Sequence, residues 1–363
     1  MKKRVLIMAG GTGGHIFPGL AIARALSKEG VEVHWLGTAK GLEARLVPDA
    51  GFPLHCIEIG GVRGKGLKTL LVAPWILLRA VLQAIHIMRS IKPVVVIGMG
   101  GFASGPGGIA SRILSKKLII HEQNAKAGFT NQCLSKIANN VFEAFPHTFS
   151  ARSKKKIKTI GNPIREELLH IPLPVTRLNS STHKPWRLLV LGGSLGARAI
   201  NDILPRALLL LPEELRPEVY HQTGEKHFNS AETAYQMAGV SAKIVPFIAD
   251  MQAAYTWADG VLARAGALTV SELTAVGLGA ILIPFPHAVD DHQTTNAQFM
   301  VKARAAFLVQ QSALTEELLA SQLQNLSQHY QAMASAAYSL RQVNATAEIV
   351  KRCKQYIDLP EKP

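Results

Sequence analysis

The sequence RVLIMAGGTGG at residues 4–14 has a counterpart in RLLVLGGSLGA at residues 187–197. Each stretch contains a basic residue, an apolar run, a double glycine, a hydroxyl-bearing residue and a further turn of small residues. An apolar run that ends in glycines and leads into a helical pattern is typical of a strand opening a βαβ unit. The repeat therefore predicts two α/β domains, each beginning with a buried strand.

Short apolar runs alternate with helical patterns through the rest of both halves, which is typical of parallel sheets covered by helices. The predicted strands are residues 4–10, 31–37, 93–100, 117–123, 139–145 and 156–162 in the first half, and 187–193, 219–224, 243–247, 260–264, 280–285 and 306–309 in the second. We expect two doubly wound domains, with the change of domain near residues 161–165 and a polar connector at 172–185. Ligands of such sheets bind at the carboxyl ends of the strands, so we expect the site in a cleft between two facing sheets.

The composition is that of a core-forming protein with an excess of positive charge. Of 363 residues, 48% are hydrophobic and 18% are charged, and the formal net charge is +15. Such a charge suggests an anionic partner, which could be nucleic acid, a membrane surface or a phosphorylated substrate. No nucleic-acid-binding module is recognisable. Three scattered cysteines and a short N-terminal apolar run predict a cytoplasmic protein without disulfides, a zinc site or a signal peptide.

The longest apolar stretch, residues 70–88, is interrupted by polar side chains at helical spacing and is a poor membrane span. One interpretation is a buried helix of the α/β fold. The other is a helix whose apolar surface around Trp75, Leu78 and Val81 rests on a bilayer, with the flanking basic residues on anionic headgroups.

The first glycine-rich loop, GGTGGHIFPG at residues 10–19, departs from the dinucleotide-binding fingerprint. That fingerprint requires G-x-G-x-x-G and an acidic residue at the end of the second strand, whereas Ile16 occupies the sixth position and the second strand ends in Gly37. A nicotinamide cofactor is therefore disfavoured. His15 could be a turn residue or an acid–base group in the cleft.

Two further strand ends in the first half carry unusual residues. The stretch GMGGFASGPGG at 98–108 is too rich in glycine for a simple turn and could let a bulky acceptor approach the backbone. The stretch HEQN at 121–124 ends the next strand in four polar residues, and Asn124 is placed to reach a sugar hydroxyl.

The second half offers three candidate anion-binding or hydroxyl-binding loops. In GGSLGAR at 192–198 the backbone amides and Ser194 could hold a diphosphate at a helix N-terminus, or the loop could be a simple tight turn. Thr269 and Glu272 match a capping box, although Glu272 could instead accept hydrogen bonds from a ribose diol. The polar cluster within residues 284–297 suits hydroxyl recognition or a solvated helix cap. No Asp-x-Asp pair is present, so we expect no metal–diphosphate clamp.

Taken in order, GGTGGHIFPGLAIA, GMGGFASGPGG, HEQN, GNPIR, GGSLGAR, ARAGALTVSELTAVG and DDHQTTNA make the chain similar to the MurG family over about residues 5–350. These are the bacterial UDP-N-acetylglucosamine (UDP-GlcNAc) transferases of peptidoglycan synthesis. The resemblance implies the GT-B glycosyltransferase fold, with Rossmann-like domains at 1–163 and 164–340 facing a deep cleft. It also implies a C-terminal helix within 341–363 that packs back on the N-terminal domain.

The implied activity is inverting transfer of GlcNAc to the 4-hydroxyl of MurNAc in undecaprenyl-diphospho-MurNAc-pentapeptide (lipid I), giving lipid II, without a cofactor. Inversion needs one in-line displacement and a base, for which His15 is the candidate; His15 could instead orient the acceptor. The resemblance implies a peripheral protein on the cytoplasmic face of the bacterial inner membrane, with other cell-wall synthesis proteins as possible partners. It implies donor contacts at Thr12, Gly13, Gly14, Asn124, Arg165, Ser194, Ile248, Ala267, Leu268, Thr269, Val270, Ser271, Glu272 and Gln293.

Two alternative functions remain compatible with the sequence. Another UDP-sugar enzyme of the same fold, such as an epimerase or a transferase with a soluble acceptor, would share the donor half. A non-catalytic protein that binds a nucleotide sugar or a membrane surface would bind UDP-GlcNAc without turnover.

Overall fold

The N-terminal part of the chain forms a seven-stranded parallel sheet in the order β3-β2-β1-β4-β5-β6-β7. The computed structural model describes residues 3–60, 66–149, 157–179, 185–193 and 196–358. The order is that of a doubly wound sheet, in which helices cover both faces. Its strands are β1 (Arg4–Ala9), β2 (Glu32–Gly37), β3 (Leu54–Cys56), β4 (Val95–Gly100), β5 (Lys117–Glu122), β6 (Asn140–Glu143) and β7 (Ile157–Thr159).

Five helices of this region belong to two apolar layers, one on each face of the sheet. Their bounds are α1 (Gly13–Lys28), α2 (Glu43–Asp49), α3 (Gly66–Ile91), α4 (Ser104–Ile113) and α5 (Phe129–Ser135). Ile22 and Leu26 of α1 pack with Ile7 and Trp35 on one face, whereas side chains of α3 and α4 pack with Met8 on the other. Because successive side chains of a strand point to opposite faces, both faces of the apolar β1 are buried.

A second parallel sheet has six strands in the order β10-β9-β8-β11-β12-β13. Its strands are β8 (Arg187–Leu191), β9 (Glu218–Gln222), β10 (Lys243–Val245), β11 (Gly260–Ala263), β12 (Gly279–Leu282) and β13 (Ala306–Leu308). The accompanying helices are α6 (Pro174–Asn179), α7 (Arg198–Leu209), α8 (Phe228–Ala238), α9 (Met251–Trp257), α10 (Ala267–Val276), α11 (His292–Val301) and α12 (Glu316–Ser339). Short 3-10 turns at Glu166–His170, Glu213–Leu215, Glu225–His227, Val289–Asp291 and Gln311–Ala313 complete the region.

The chain divides into two compact units, which are Met1–Ile164 with Val343–Pro363 (unit 1) and Arg165–Gln342 (unit 2). The sequence placed this boundary after residue 163. The last helix, α13 (Ala345–Ile357), belongs to unit 1, where Ile349 and Cys353 enter the same apolar core as α1. Lys354 of α13 also pairs with Glu29 at 2.6 Å.

Each of the twelve predicted strands is present, and a thirteenth, β3, was missed. This strand has only three residues and lies at the edge of the sheet, where it pairs with Trp35 to Gly37. Three residues are too few for alternation of apolar and polar side chains to be recognised.

Helix α3 buries one side and exposes apolar side chains on the other. Ala80, Ala84 and Met88 are buried against the sheet, whereas Trp75 is 69% and Leu78 is 48% exposed. Val81 is only 6% exposed, so its assignment to the membrane-contact surface was wrong. At 100° per residue, Val81 lies about 120° around the helix from Trp75, whereas position 82 returns to within about 20° of it.

Exposed Val72 and Leu82 extend the row formed by Trp75 and Leu78. Within the described residues, Val72–Ile91 is one helix long and apolar enough to cross a membrane by length and composition, with 22% of the most apolar window buried. One such helix is weak grounds for a membrane span.

Candidate functional site

The candidate site residues of unit 1 follow the carboxyl ends of β1, β4 and β5, as expected for a doubly wound sheet. Thr12 is the N-cap residue of α1, and its side chain makes no capping hydrogen bond. Its carbonyl oxygen accepts hydrogen bonds from the backbone N–H groups of His15 and Ile16 at 3.1 and 3.3 Å. Gly13 and Gly14 form the first turn of α1 and are half-buried.

A buried carboxylate holds the loop that precedes α1. Glu43 accepts hydrogen bonds from the backbone N–H of Gly11 at 3.0 Å and from the N–H and hydroxyl of Thr38 at 3.0 and 2.7 Å. A buried charge is tolerated when such donors surround it. Glu43 was missed by the sequence analysis, because no pattern connects the start of α2 to a loop thirty residues earlier.

The two glycines at the carboxyl end of β4, Gly100 and Gly101, are required by packing inside unit 1. A Cβ atom on Gly101, whose φ is +83°, would lie 2.2 Å from the carbonyl oxygen of Gly10. A Cβ atom on Gly100 would lie 2.9 Å from the His15 ring. The structure therefore gives Gly100 and Gly101 a role in bringing two loops and the histidine together.

His15 is part of a chain of hydrogen bonds that crosses the carboxyl end of the sheet. Its Nδ1 lies 2.8 Å from Oε1 of Gln123, and Nε2 of Gln123 lies 3.0 Å from Nδ1 of His121. Nε2 of His121 lies 2.9 Å from the carbonyl oxygen of Gly161. Complete burial lowers the pKa of His121 to about 4, so that this imidazole is neutral at pH 7.

Asn124 is held by the neighbouring buried carboxylate. Its backbone N–H and its side-chain amide both donate to Oε1 of Glu122, at 3.0 and 3.2 Å, while Gly128 N–H and Asn131 Nδ2 donate to Oε2. Glu122 therefore fixes the backbone from residue 124 to residue 128. Asn124 itself remains half-buried at the carboxyl end of β5.

In unit 2, Glu272 lies on α10 beside a tyrosine and an arginine. Its Oε2 accepts a hydrogen bond of 2.9 Å from the Tyr255 hydroxyl, and its Oε1 lies 3.7 Å from Nε of Arg165. Burial raises the pKa of the Glu272 carboxyl, while Arg165 and the tyrosine hydrogen bond oppose that increase. Burial, together with the adjacent carboxylate, raises the pKa of Tyr255 well above its ordinary value.

The capping-box interpretation of Glu272 is wrong. Helix α10 begins at Ala267 with Gly266 as its N-cap, so Thr269 lies inside the helix rather than at the cap. Glu272 is directed to Tyr255, which lies seventeen residues earlier on α9 and which no sequence pattern connects to it. The first turn of α10 contains Ala267, Leu268 and Thr269, and is followed by Val270 and the half-buried Ser271.

The remaining predicted donor residues lie on other loops of unit 2. Ile248 is buried between β10 and α9, and its backbone N–H and C=O form no hydrogen bond with the described part of the chain. Gln293 lies in the first turn of α11, where its Oε1 accepts from the backbone N–H of Phe285 at 2.8 Å. Its amide NH₂ is thus the group oriented as a donor. Ser194 lies outside the described residues.

The described residues contain no cluster of three or more His, Cys, Asp or Glu side chains that could hold a metal ion. The loops after β1 and β11 lead into the N-termini of α1 and α10, where backbone N–H groups and the partial positive charge of the helix favour anions.

Comparison with known proteins identifies the family. The glycosyltransferase family 28 N-terminal domain matches residues 5–143, and the family 28 C-terminal domain matches residues 187–353. The UDP-N-acetylglucosamine–N-acetylmuramyl-(pentapeptide) pyrophosphoryl-undecaprenol N-acetylglucosamine transferase of Azotobacter vinelandii is 52% identical over 360 residues, covering 97% of this chain and 98% of that protein. The protein of the same name from Marinobacter nauticus is 53% identical over 355 residues, covering 97% of each chain.

Solved structures agree with this result. The crystal structure of Acinetobacter baumannii MurG has a TM-score of 0.85 and 40% identity, covering 97% of this chain and 99% of that one. The glycotransferase of kitacinnamycin, at 13% identity and a TM-score of 0.70, shares the fold alone. The two Rossmann-like units are those of the GT-B glycosyltransferase fold. The chain belongs to glycosyltransferase family 28 and, within it, to the N-acetylglucosamine transferases of the MurG family.

Proposed function

We propose that this protein transfers GlcNAc from UDP-GlcNAc to the 4-hydroxyl of MurNAc in lipid I, with inversion at the anomeric carbon, to form lipid II. The observation that carries the proposal is the identity of about half of all positions, over nearly the whole chain, with transferases named for this reaction. The arrangement of polar groups in each unit supports it.

The donor is bound mainly by unit 2 in this proposal. Glu272 accepts hydrogen bonds from the ribose diol, because its carboxylate is already oriented by Tyr255 and retains further acceptor positions. Backbone groups of Ile248 bind the edge of the uracil ring. The amide of Gln293 donates to a hydroxyl of GlcNAc, and residues Ala267 to Ser271 surround the ribose and sugar.

The diphosphate requires positive charge as the bond to the sugar breaks. Arg165, which lies 3.7 Å from Glu272, and the N-terminus of α10, which begins five residues before Glu272, supply it in this proposal. Ser194 adds a hydroxyl donor on the diphosphate side. Thr12, Gly13, Gly14 and Asn124 of unit 1 complete the donor contacts.

The chemical step needs a base that takes the proton of the acceptor hydroxyl as its oxygen attacks the anomeric carbon. His15 is that base in our proposal, because its imidazole lies at the carboxyl end of the unit 1 sheet and is held by Gln123. The bond to the diphosphate breaks as the new bond forms, and UDP leaves with the electron pair.

A turnover assay with a lipid I analogue and labelled UDP-GlcNAc tests this assignment. General-base catalysis is typically worth 10²–10⁴-fold, so His15→Ala should lower kcat by roughly that factor. His329→Ala is the matched control, because His329 is exposed on α12 and hydrogen-bonds only the preceding turn of its own helix. A His15→Ala variant with near-normal kcat would remove His15 from the role of base. Binding of UDP-GlcNAc without any turnover by the wild type would favour a non-catalytic protein.

We further propose that the protein binds peripherally to the anionic cytoplasmic leaflet that carries its acceptor, through Trp75 and Leu78 of α3. Both side chains are exposed in a row with Leu82, and Arg79, Arg89 and Lys92 lie on the same helix or directly after it. Apolar side chains flanked by basic residues favour the surface of an anionic bilayer.

Co-sedimentation with vesicles tests the membrane proposal. Binding should be stronger to vesicles containing phosphatidylglycerol than to phosphatidylcholine alone, and Trp75→Ser combined with Leu78→Ser should weaken it. Met237→Ser is the control, since Met237 is an exposed apolar side chain on α8 of unit 2. Binding that ignores both lipid charge and the α3 substitutions would contradict the proposal.

A further inference from the structure

We propose that Gln123 and His121 are positioning residues that hold His15 in the tautomer with a proton on Nδ1. The lone pair on Nε2 is then free to take the proton from the attacking hydroxyl of the substrate. The inference rests on the proposed function for its catalytic consequence, but the tautomer itself follows from the hydrogen-bond chain and the complete burial of His121. It adds two residues to the candidate catalytic machinery, neither of which needs to touch a substrate.

The chain begins at the carbonyl oxygen of Gly161, which can only accept a hydrogen bond. Nε2 of His121 lies 2.9 Å from that oxygen and must therefore carry a proton. His121 is fully buried, and burial lowers its pKa to about 4, so the imidazole is neutral at pH 7. A neutral imidazole has one proton, and Nδ1 of His121 is consequently an acceptor.

The orientation of the Gln123 amide follows from His121. The amide group faces two acceptors, which are Nδ1 and the backbone carbonyl oxygen of His121, at 3.0 and 3.2 Å. Only the NH₂ end of the amide satisfies both, because the reversed amide would place its oxygen against two lone pairs. The amide oxygen is thereby directed to His15.

The state of His15 is the last step. Oε1 of Gln123 can only accept, and it lies 2.8 Å from Nδ1 of His15, so Nδ1 donates. In the neutral ring the lone pair is then on Nε2. When Nε2 takes the proton from the attacking hydroxyl, Nδ1–H keeps its hydrogen bond to Gln123. The same contact therefore serves the neutral ring before transfer and the imidazolium after it.

The backbone beside the ring also limits its orientation. A Cβ atom at residue 100 would approach the ring carbon Cε1 to 2.9 Å, so the ring occupies space that only a glycine leaves open. The hydrogen bond to Gln123 holds the imidazole in this position. A general base needs such a fixed position relative to the proton that it abstracts.

The direct test is the tautomer of His15 in the intact protein. Selective ¹⁵N-histidine labelling with two-bond ¹H–¹⁵N correlation distinguishes a protonated ring nitrogen from an unprotonated one, and the His15→Ala spectrum assigns the His15 signals. We expect Nδ1 of His15 to be protonated and Nε2 unprotonated at pH 7.5, with the reverse pattern for His121. A His15 ring protonated on Nε2 alone would overturn the inference.

The catalytic consequence is tested with Gln123→Met, which keeps the length of the side chain and removes the amide. In the serine protease triad, replacing the aspartate that orients the catalytic histidine gives the wrong tautomer and lowers kcat about 10⁴-fold. That substitution also removes a carboxylate from the native interaction. For the neutral amide here we expect kcat to fall by about 10- to 100-fold, with KM for UDP-GlcNAc changed less than about 2-fold. The mutant ring should also show signals from both tautomers.

Gln132→Met is the matched control, because its amide donates to the local carbonyl oxygen of Ala127 and has no contact with His15. It should retain the wild-type kcat and the His15 spectrum. If His15→Ala is inactive while Gln123→Met keeps the wild-type kcat, the positioning role is overturned and the base remains. If His15→Ala is fully active, His15 is not the base, and the effect of Gln123 on kcat is no longer expected. The NMR spectrum still decides whether the inferred tautomer of His15 is correct.

Discussion

The proposed recognition of the donor ribose by Glu272 leads to a specific prediction for an analogue that lacks the 2′-hydroxyl. In the wild type, the carboxylate is held by Tyr255 at 2.9 Å and by Arg165 at 3.7 Å, and only 9% of the side chain is exposed to water. A hydrogen bond to a charged group contributes about 1.5–3 kcal/mol, equivalent to about 10- to 100-fold in affinity. The 2′-deoxyribose analogue of UDP-GlcNAc should therefore have a KM higher than that of the natural donor by this factor.

The variant that tests the prediction is Glu272→Ala, which removes both acceptor oxygens. Its KM for UDP-GlcNAc should rise to about that of the wild type with the deoxy analogue, and it should distinguish the two donors by less than about 3-fold. Tyr255→Phe should have a smaller effect in the same direction, because the carboxylate remains but loses one of the groups that orient it.

Steady-state kinetics with both donors, at saturating acceptor, measure these ratios. Glu167→Ala is the control, because Glu167 is exposed and influences Glu272 only through its charge. It should discriminate between the donors as the wild type does. If Glu272→Ala keeps the wild-type preference for the ribose over the deoxyribose, the assignment of Glu272 to the ribose is refuted.

Two further predictions concern the scaffold of the site. Burial lowers the pKa of His121 to about 4 and that of His221 to about 3, so only the unfolded chain takes up these protons as pH falls below 6.5. Lowering the pH from 7.5 to 5.5 should therefore decrease the free energy of unfolding by about 1.4 kcal/mol for each histidine. Urea denaturation at the two pH values measures this decrease, which should be smaller for His121→Asn than for the wild type. Gly101→Ala should destabilise unit 1 by about 2 kcal/mol or more, through strain at positive φ and contact with Gly10. Gly30→Ala, at positive φ but with open space around it, should cost only about 1 kcal/mol, and equal thermal shifts for the two variants would contradict the packing role of Gly101.

The sequence was sufficient for the sheets because central strands such as β1, β4 and β8 are nearly continuous apolar runs that end in or lead into glycine. Strand β4, for example, is buried along its whole length, and such a strand needs no alternation to be recognised. The short edge strand β3 lacks this signal and was missed.

The site was only partly predictable, because its contacts join residues that are distant in the sequence. The motif HEQN drew attention to the end of β5, yet nothing in it indicates that Gln123 contacts His15 across the intervening strand β4. Glu272 matched a local capping pattern, whereas its actual partner is Tyr255 on another helix. Val81 was misplaced for a simpler reason, since steps of three residues drift around a helix with 3.6 residues per turn.

The most direct test of the central claim is to incubate the protein with UDP-GlcNAc and a soluble lipid I analogue, and to determine the product by mass spectrometry and NMR. We expect a product heavier by one GlcNAc residue, joined to the 4-hydroxyl of MurNAc with the β configuration, and one UDP released per sugar transferred. Free GlcNAc or an epimerised UDP-sugar in place of that product, or an α linkage, would contradict it.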